Sequence, residues 1–486
     1  MPLLSTADHP NALFSGEWIP AHGGNTEVVS PSTGTLLGHI GTADAHDVNR
    51  AATRAARTQR DWAAASFEER ATVLRRAGDL IHTHADEIGH WLRHEGGAAA
   101  GMAAFQVHVA AQECFEAAAL AHQPHGEILR TAKPRLSFSR QVPAGVVGVI
   151  APFNVPLILG IRSVAPALAL GNAVVLKPDQ RTAVCGGAVL AEIFRKAGVP
   201  EGVFHVLPGG AEAGQALVAD PHVRVLSFTG STAAGRKVGE AAARHLKRAH
   251  LELGGNSPLV ILDDADVEAA TSTGAWGSFL HQGQICMTTG RHLVHEKIAD
   301  AYVERLAARA DELTVGSTEE EGTALGPVID AGQRDKIHGL VTSSIEAGAR
   351  LRAGGTYQDL FYRPTVLDGV DAHTPAYAEE VFGPVAPVVR FSSVEELVEL
   401  ANSTEYGLSL GIITTNPMRG MEIADRIPSG IVHINDQTVE DEAVAPFGGV
   451  GHSGTGARFG GTRANLDAFT ETQWITMRAD PAPHPF

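Results

Sequence analysis

Cys286 is the side chain in this sequence with the clearest capacity for chemistry. It lies between a helix-like run at 267–280 and a strand-like run at 290–295. We therefore expect it in a loop or a first helical turn, where unpaired backbone N–H groups would favour the thiolate that attacks electrophilic carbon. Gly283 would let the backbone approach a ligand closely. A free cysteine is also common as a small buried hydrophobe, so this pattern alone leaves both roles open.

Two other side chains would complement a nucleophilic thiolate. Glu252 stands between two leucines in the run LELGG at 251–255. A buried carboxylate is costly unless it is hydrogen-bonded or has a function, and activating water is one such function. Asn154 follows Pro152 and Phe153, and its amide could stabilise an oxyanion. An asparagine is equally suited to a turn, so this second reading stays open.

The segment FTGSTAAG at 228–235 and Lys177 could bind a phosphate or a sugar. In the segment a strand ends and a helix begins at Gly230 and Ser231, and backbone N–H groups at such a position can receive a phosphate. The segment is neither a G-x-G-x-x-G fingerprint nor a P-loop, and its glycines could be purely steric. Lys177 closes an apolar strand, where it could bind a ribose hydroxyl or a phosphate, or be solvated.

The elements that position these residues alternate between strand and helix. We expect strands at 145–151, 173–176, 203–207 and 223–228, and helices at 155–170, 182–197, 211–219 and 231–245. Short apolar strands alternating with helices are typical of a parallel, doubly wound sheet covered on both faces. Ligands bind such sheets at the carboxyl ends of the strands, where Asn154, Lys177, Gly209 and Ser231 fall.

The rest of the chain has a similar organisation. Strands at 259–262, 291–295, 385–391, 410–414 and 431–435 predict a second α/β domain that starts near residue 253. A capping box at Ser66 and Glu69 predicts one long helix that ends near residue 95, and a further helix is expected at 98–120. Residues 122–142 contain charges and prolines, and we expect a hairpin outside the main domain there.

Composition excludes several classes of function. A net charge of −17 without a run of lysine or arginine argues against a nucleic-acid binder. Three cysteines do not make a disulfide framework. The most apolar segment, 142–176, is broken by prolines and polar residues, so no membrane span is expected. The first residues lack the features of a signal peptide, so we expect a cytoplasmic protein. His90 and His94 lack a third ligand nearby, so no metal site is predicted.

Seven short motifs resemble the NAD(P)-dependent aldehyde dehydrogenase superfamily, and they occur in that family's order. They are PFN at 152–154, KP at 177–178, FTGS at 228–231, ELGG at 252–255, GQIC at 283–286, EVFGP at 380–384 and PFGG at 446–449. The C-terminal stretch from INDQT at 434–438 through GVG at 449–451 to RFGG at 458–461 is most similar to the aromatic-aldehyde branch. That branch contains the benzaldehyde and vanillin dehydrogenases, and the benzaldehyde type is favoured.

The resemblance implies an α/β fold with two doubly wound domains and a small β element. An NAD(P)-binding domain would comprise residues 1–121 and 143–252, and a catalytic domain residues 253–445. Residues 122–142 and 466–486 would form a bridging element that joins subunits into a homodimer or homotetramer. The terminal strand at 471–477 would pair across that interface.

The resemblance also implies roles for individual residues. Cys286 would attack the aldehyde carbon, and the Asn154 amide with the Cys286 N–H would hold the oxyanion. A hydride would pass to NAD or NADP, and Glu252 would activate the water that hydrolyses the thioester. The implied cofactor contacts are Lys177, Gln180, Gly209, Gly230, Ser231, Glu380 and Phe382. The implied substrate contacts, in an apolar tunnel, are Phe153, Val155, Leu157, Ile285 and Met287.

The expected reaction is oxidation of an aromatic aldehyde to its acid with NAD(P)⁺. Gln180 stands where many NAD-preferring relatives have glutamate, which leaves the choice of cofactor open. The alternative within the superfamily is an aliphatic or semialdehyde dehydrogenase, for which Arg162 is the one nearby cation that could bind a charged tail. The combination of Cys286, Glu252 and Asn154 argues against a binding protein that has lost its chemistry. Glu252 also argues against a CoA-acylating enzyme.

Overall fold

The computed structural model describes residues 3–4 and 11–484, and its core is two seven-stranded sheets flanked by helices. The strands are β1 Ala12–Ser15, β2 Trp18–Pro20, β3 Asn25–Val29, β4 Leu36–Gly41, β5 Gly126–Ile128, β6 Leu136–Pro143, β7 Val146–Ile150, β8 Ala173–Lys177, β9 Phe204–Val206, β10 Val223–Thr229, β11 Arg248–Glu252, β12 Ser257–Ile261, β13 Thr289–His295, β14 Arg350–Ala353, β15 Tyr357–Gln358, β16 Phe361–Tyr362, β17 Thr365–Asp368, β18 Val385–Phe391, β19 Tyr406–Gly407, β20 Ser409–Ile413, β21 Ile431–Ile434, β22 Val450–Gly451 and β23 Thr470–Met477.

The helices lie mostly between successive strands of these sheets. They are α1 Ala45–Ala64, α2 Phe67–Thr83, α3 Ala85–His94, α4 Ala100–Leu120, α5 Pro156–Ala169, α6 Val189–Ala197, α7 Ala211–Ala219, α8 Thr232–Arg244, α9 Val267–Phe279, α10 Glu296–Glu312, α11 Ala331–Glu346, α12 Pro375–Ala378, α13 Val394–Asn402, α14 Pro417–Ala424 and α15 Thr462–Phe469. No helix among the described residues is long and apolar enough to cross a membrane.

The first sheet has the order β11-β10-β7-β8-β9-β1-β2. Strands β7 to β11 are parallel, which confirms the expected doubly wound arrangement. At one side of the sheet, β1 and β2 form an antiparallel hairpin in which β1 pairs with β9 and β2 is the edge strand. Their short length and mixed polarity gave no sign in the sequence that they would join this sheet.

The second sheet has the order β14-β17-β18-β13-β12-β20-β21, and all of its pairings are parallel except β14 with β17. The prediction of a second α/β unit after residue 253 is confirmed. The predicted set omitted β14 and β17, which lie between α11 and β18. Three of the four β14 residues are exposed, so the strand lacks the apolar run that marks a central strand.

Two helix predictions were wrong in their details. The capping box at Ser66 and Glu69 is present, but the helix ends at Thr83 and a second one begins after His84, whose φ of −106° and ψ of 22° are not helical. The predicted helix at 182–197 is α-helical only from Val189. Its first part is a π-helical turn, Val184–Ala188, whose first two N–H groups donate to the buried Glu95 carboxylate at 2.9 and 2.7 Å.

The predicted hairpin near 122–142 is present as β5 and β6, which pair antiparallel. The chain's last strand, β23, pairs antiparallel with β6 from Thr470 opposite Pro143 to Met477 opposite Leu136. The resulting small sheet has the order β23-β6-β5, so β23 is an edge strand. This sheet joins the two segments that the sequence assigned to a bridging element.

Candidate active site

The carboxyl edge of the first sheet collects the polar residues that the sequence singled out. Ile150 is in register with Lys177, and Thr229 is in register with Glu252. Because β7 to β11 are parallel, the residues that follow each strand emerge at this same edge. The strands present there, in spatial order, Glu252, then Gly230 and Ser231, then Asn154, then Lys177 and finally Gly209.

Cys286 lies in a turn between a 3₁₀ helix, Leu280–Gly283, and β13. Three successive residues before it, His281, Gln282 and Gly283, have φ of 50°, 57° and 66°. A Cβ on Gly283 would lie 2.1 Å from the Gly383 carbonyl oxygen, so only glycine fits. The sequence allowed a loop or a helix start for Cys286, and the structure has a tightly bent loop.

The electrostatic surroundings of Cys286 differ from the expectation. Burial, together with the nearby Glu380 and Glu252, raises the pKa of the thiol to about 12, against the lowering effect of Arg162. Burial therefore opposes the thiolate that the backbone N–H groups of the turn were expected to favour. The thiol must pass its proton to a base as it attacks.

Both the side-chain amide and the backbone carbonyl of Asn154 are hydrogen-bonded to the loop that leads to Cys286. Its side-chain N–H donates to the Gln284 carbonyl at 2.7 Å, and its own backbone carbonyl is 2.6 Å from Nε2 of His281. A backbone carbonyl only accepts, so His281 carries its proton on Nε2. The contact with Gln284 uses one of the two amide N–H groups. The position of this amide is therefore coupled to the loop of Cys286.

Glu252 is a buried carboxylate, 3% exposed, at the end of β11. Among the described residues neither of its oxygens has a hydrogen-bond partner of ordinary geometry. Burial raises the pKa of Glu252 well above its usual range, against the opposing effects of Arg458, Arg162 and the Gly449 backbone. A carboxyl group left unpaired in this way is costly, and such groups concentrate at functional sites.

A cavity of about 880 Å³ contains both Cys286 and Asn154. Of the five residues expected to contact substrate, Val155, Ile285 and Met287 line it. Phe153 and Leu157 do not line it, so the structure does not bring them to the expected place. The position of Leu157 on helix α5 explains why it does not line the cavity. Ile158 and Arg162, which lie one helical turn apart, line the cavity, whereas Leu157 is fully buried in the core.

Phe153 lies on a different side, among residues expected to contact the cofactor. The Arg181 guanidinium sits 4.2 Å from the centre of its ring. Phe382 packs against it edge to face, with ring centres 6.0 Å apart. The family resemblance implied that Phe153 lines the tunnel, but adjacent residues in a loop can face opposite sides.

Several cavity residues were not identified from the sequence. Aromatic walls come from α4, α9 and the C-terminal loop, and a polar wall comes from the segment after β21. The aromatic members are Phe105, Trp276, Phe279 and Phe447, and the polar ones are Asp436, Gln437, Glu440 and Asp441. Trp276 is 55% exposed although it lies within α9. A tryptophan inside the predicted helix at 267–280 was a signal in the sequence that could have identified it.

The chain matches the aldehyde dehydrogenase family over residues 18–475. The protein belongs to the aldehyde dehydrogenase family. It is 64% identical to a vanillin dehydrogenase of Amycolatopsis sp. over the full length of both chains. It is 49% identical to a benzaldehyde dehydrogenase [NAD(+)] of Pseudomonas putida, covering 98% of this chain and 97% of the relative. The resemblance stated from the motifs is confirmed.

Solved structures of the family confirm the fold. A salicylaldehyde dehydrogenase from Pseudomonas putida G7, complexed with salicylaldehyde, matches with a TM-score of 0.94 at 35% identity, covering 98% of this chain and 99% of that one. An NAD+ complex of an aldehyde dehydrogenase from Bacillus cereus matches with a TM-score of 0.94 at 32% identity, covering 97% of each chain. The enzyme therefore has the expected α/β architecture.

The cofactor-side residues of this aldehyde dehydrogenase lie where strands of the first sheet end. Lys177 is half-buried, and burial lowers its pKa. The Ser231 hydroxyl oxygen accepts the Ala234 N–H at 3.3 Å and so caps α8, which leaves its proton for another acceptor. Gly209 precedes α7, and a Cβ there would lie 2.7 Å from the Ala213 side chain. The side-chain nitrogen of Gln180 lies 3.4 Å from the Thr26 hydroxyl.

Glu380 and Phe382 approach this region from the second sheet. The Glu380 carboxylate accepts the Gly255 N–H at 3.0 Å, and burial raises its pKa. A Cβ on Gly254 would lie 2.4 Å from the same carboxylate, so the glycine pair makes room for it. Phe382 has a φ of 55°, which an L-residue rarely adopts. A carboxylate that lies against the glycine backbone at 254–255 could accept hydrogen bonds from ribose hydroxyls.

Among the described residues one set, His22, Asp44 and His46, has ligand atoms close enough to hold a metal ion. Both histidines are exposed. Asp44 caps α1 by accepting the Asp47 N–H, and it also bonds the His22 ring. These contacts account for the cluster as a helix cap on the surface, and it contributes no group to the cavity.

Proposed function

We propose that this enzyme oxidises an aromatic aldehyde to its carboxylic acid with NAD(P)⁺. The observation that carries the proposal is that Cys286 and Asn154 share one cavity with walls of aromatic side chains. Its volume of about 880 Å³ is ample for a substituted benzaldehyde. The names of the relatives, vanillin, benzaldehyde and salicylaldehyde dehydrogenase, agree with this substrate class.

The first half of the mechanism forms a bond between Cys286 and the substrate. The sulfur attacks the aldehyde carbon, and the thiol proton passes to a base as it does so. The second N–H of the Asn154 amide and the backbone N–H of Cys286 hold the oxygen that becomes negative. Because the Asn154 amide donates to Gln284 in the same loop as Cys286, both donors are held at fixed positions relative to the sulfur.

The second half releases the acid. NAD(P)⁺, when bound, accepts the hydride from the former aldehyde carbon, which leaves a thioester on Cys286. The Glu252 carboxylate takes a proton from water, whose oxygen attacks the thioester carbon, and the sulfur leaves. Burial raises the pKa of Glu252 well above its usual range, which makes its carboxylate a stronger base toward water than an exposed carboxylate.

Four side chains fit a dinucleotide. Lys177 and Ser231 offer donors to a ribose hydroxyl and a pyrophosphate oxygen, and Gly209 and Gly230 let the backbone come close. Glu380 would accept hydrogen bonds from the nicotinamide ribose, with Phe382 beside that ring. These roles rest on the placement of each residue at the ends of strands β8, β9 and β10 and in the loop before β18.

Replacing Gln180 with glutamate is expected to shift cofactor preference toward NAD⁺. A carboxylate there accepts from ribose hydroxyls and repels a 2′-phosphate, so the ratio of kcat/KM for NAD⁺ over NADP⁺ should rise by about tenfold. Steady-state kinetics with each cofactor at a fixed aldehyde concentration measure this ratio. An unchanged ratio would show that position 180 does not face the adenine-side ribose.

Replacing Asn154 with alanine is expected to lower kcat by about 10²- to 10³-fold, because one donor to the oxyanion is lost. Cofactor affinity, measured by fluorescence titration, should stay within about twofold, since no donor to the dinucleotide is removed. If the variant instead raised only KM, the amide would bind the ground-state aldehyde and not the oxyanion.

We also infer that the small sheet joins subunits into a homodimer or homotetramer. It carries exposed apolar side chains, including Ile128 and Trp474, which are 84% and 64% exposed. Exposed patches of this kind mark association surfaces. Light scattering of the purified protein should give a dimer or tetramer mass, and Trp474→Glu should reduce it. A monomer mass for the unaltered chain would refute this inference.

We propose that the division into domains follows the sheets, with residues 1–121 and 143–252 for the first sheet, 253–445 for the second, and 122–142 with 466–486 for the small sheet. Strand β6 of the small sheet extends one residue further than that division, to Pro143. A cytoplasmic location belongs to the same proposal, since a free Cys286 thiol is preserved in reducing compartments.

The test of the proposed function is NAD(P)H formation by purified protein. The panel contains benzaldehyde, vanillin, hexanal and succinate semialdehyde, each with NAD⁺ and NADP⁺. We expect the aromatic aldehydes to have the highest kcat/KM. A preference for hexanal or the semialdehyde would leave the roles of Cys286 and Glu252 standing and would reject the aromatic substrate.

A further inference from the structure

One wall of the cavity carries more negative than positive charge. Among the described residues that line it there are three carboxylates, Asp436, Glu440 and Asp441, and one cation, Arg162. The rest of the lining is largely apolar or uncharged. The net charge inside this cavity therefore depends on whether other residues already neutralise Arg162.

Arg162 forms two ion pairs within its own chain. Its side chain is 3% exposed, its Nε donates to Glu113 at 3.0 Å, and its Nη2 donates to Asp441. The flat guanidinium also lies 4.8 Å from the centre of the Phe447 ring. Glu113 and Asp441 hold this cation between α4 and the C-terminal loop, so its charge is neutralised before any substrate enters.

The remaining charge is negative whatever the state of Glu113. Burial raises the pKa of Glu113 to about 7, so this carboxyl titrates near neutral pH. Even with Glu113 protonated, Arg162 and Asp441 cancel each other. Glu440 then remains, and it is held in place by the Gln437 amide at 3.2 Å and by the Asp441 backbone N–H at 3.3 Å.

We propose that the Glu113–Arg162–Asp441 cluster and Glu440 make the cavity select aldehydes that carry no negative charge. An anionic substituent that enters would lose water and gain carboxylates as neighbours, and like charges brought together in this way are strongly disfavoured. A neutral hydroxyl is acceptable, because a carboxylate accepts its hydrogen bond. The inference rests on the proposed function and narrows its substrates to neutral aryl aldehydes.

The same geometry bears on the semialdehyde alternative. Such a substrate has a carboxylate at the end opposite the aldehyde and would need a free cation in the cavity. Arg162 was the candidate, and its ion pairs with Glu113 and Asp441 remove it from that role. Nη1 of Arg162 has no hydrogen-bond partner among the described residues, but the positive charge it would offer an anionic tail is already balanced by two carboxylates.

The test compares two substrates of similar size. 4-(Hydroxymethyl)benzaldehyde is neutral, and 4-formylbenzoate carries a carboxylate at the same ring position. We expect kcat/KM for the anion to be lower by about tenfold or more. Glu440→Gln should shrink this difference by about threefold or more, because it removes one repelling charge and keeps the shape. Asp436→Asn, at an exposed residue of the same wall, tests the same point if the first variant folds poorly.

Glu442→Gln is the matched control. Glu442 is exposed, lies two residues along the chain and does not line the cavity, so the ratio of the two substrates should not change. Equal kcat/KM for both substrates in the unaltered enzyme would overturn the proposal, as would a ratio unaffected by both Glu440→Gln and Asp436→Asn. Failure to oxidise benzaldehyde itself would instead reject the proposed function, so the two failures are distinguishable.

Discussion

Replacing Cys286 with alanine is expected to lower kcat by about 10⁴-fold or more, while NAD(P)⁺ affinity changes by less than about twofold. Among the described residues that line the cavity, Cys286 is the one thiol, and Asn154 lines the same cavity. Without the thiol no thioester forms, so neither hydride transfer nor hydrolysis can proceed through the same route. NADH formation over hours at high enzyme concentration, together with a fluorescence titration of the cofactor, measures both quantities.

Cys114→Ala is the control for that experiment. Cys114 is a fully buried core residue of α4 that does not line the cavity, so its loss should cost stability and spare most activity. Iodoacetamide should label Cys286 in preference to Cys114 and Cys185, because Cys286 is partly exposed and the other two are buried. Full activity in Cys286→Ala would refute the nucleophile assignment and with it the proposed mechanism.

Replacing Glu252 with glutamine is expected to lower steady-state kcat by about 10²- to 10⁴-fold and to preserve a first rapid turnover. Glutamine has nearly the same shape but cannot accept a proton from water. The thioester should therefore form at its usual rate and then accumulate. Rapid mixing should show a burst of NADH close to one equivalent per active site, followed by slow release, and mass spectrometry should detect the acylated protein.

The pH dependence of the same step has a definite sign. The carboxylate form of Glu252 is the base, and burial raises the pKa of this group well above its usual range. Hydrolysis should therefore quicken as the pH rises through that raised pKa and level off above it. The rising limb should be absent in Glu252→Gln.

Glu379→Gln provides the comparison for Glu252→Gln. Glu379 is an exposed carboxylate outside the cavity, so the steady-state rate of the Glu379→Gln enzyme should be unchanged. A Glu252→Gln enzyme with an unchanged burst and an unchanged turnover would show that another group activates the water. A variant that lost the burst would place Glu252 in the first half of the reaction instead.

The sequence by itself determined the class of fold and the family. Alternating apolar strands and helices specify a doubly wound sheet, because strands buried on both faces must be apolar along their whole length. That rule also placed Asn154, Lys177, Gly209 and Ser231 at one edge, as the parallel register of β7 to β11 confirms. The motifs then identified the family, because each motif is a short run of consecutive residues that can be recognised without the tertiary structure.

The tertiary structure decided what depends on residues far apart in the chain. Burial of Cys286 beside Glu380 and Glu252 raises its pKa, an effect that local backbone dipoles did not predict. Leu157 faces the core and Phe153 faces Arg181, because a helix or a bend directs neighbouring side chains to different sides. The ion pairs of Arg162 join three segments that are far apart in the sequence, α4, α5 and the C-terminal loop. The net charge of the cavity therefore depends on the tertiary structure.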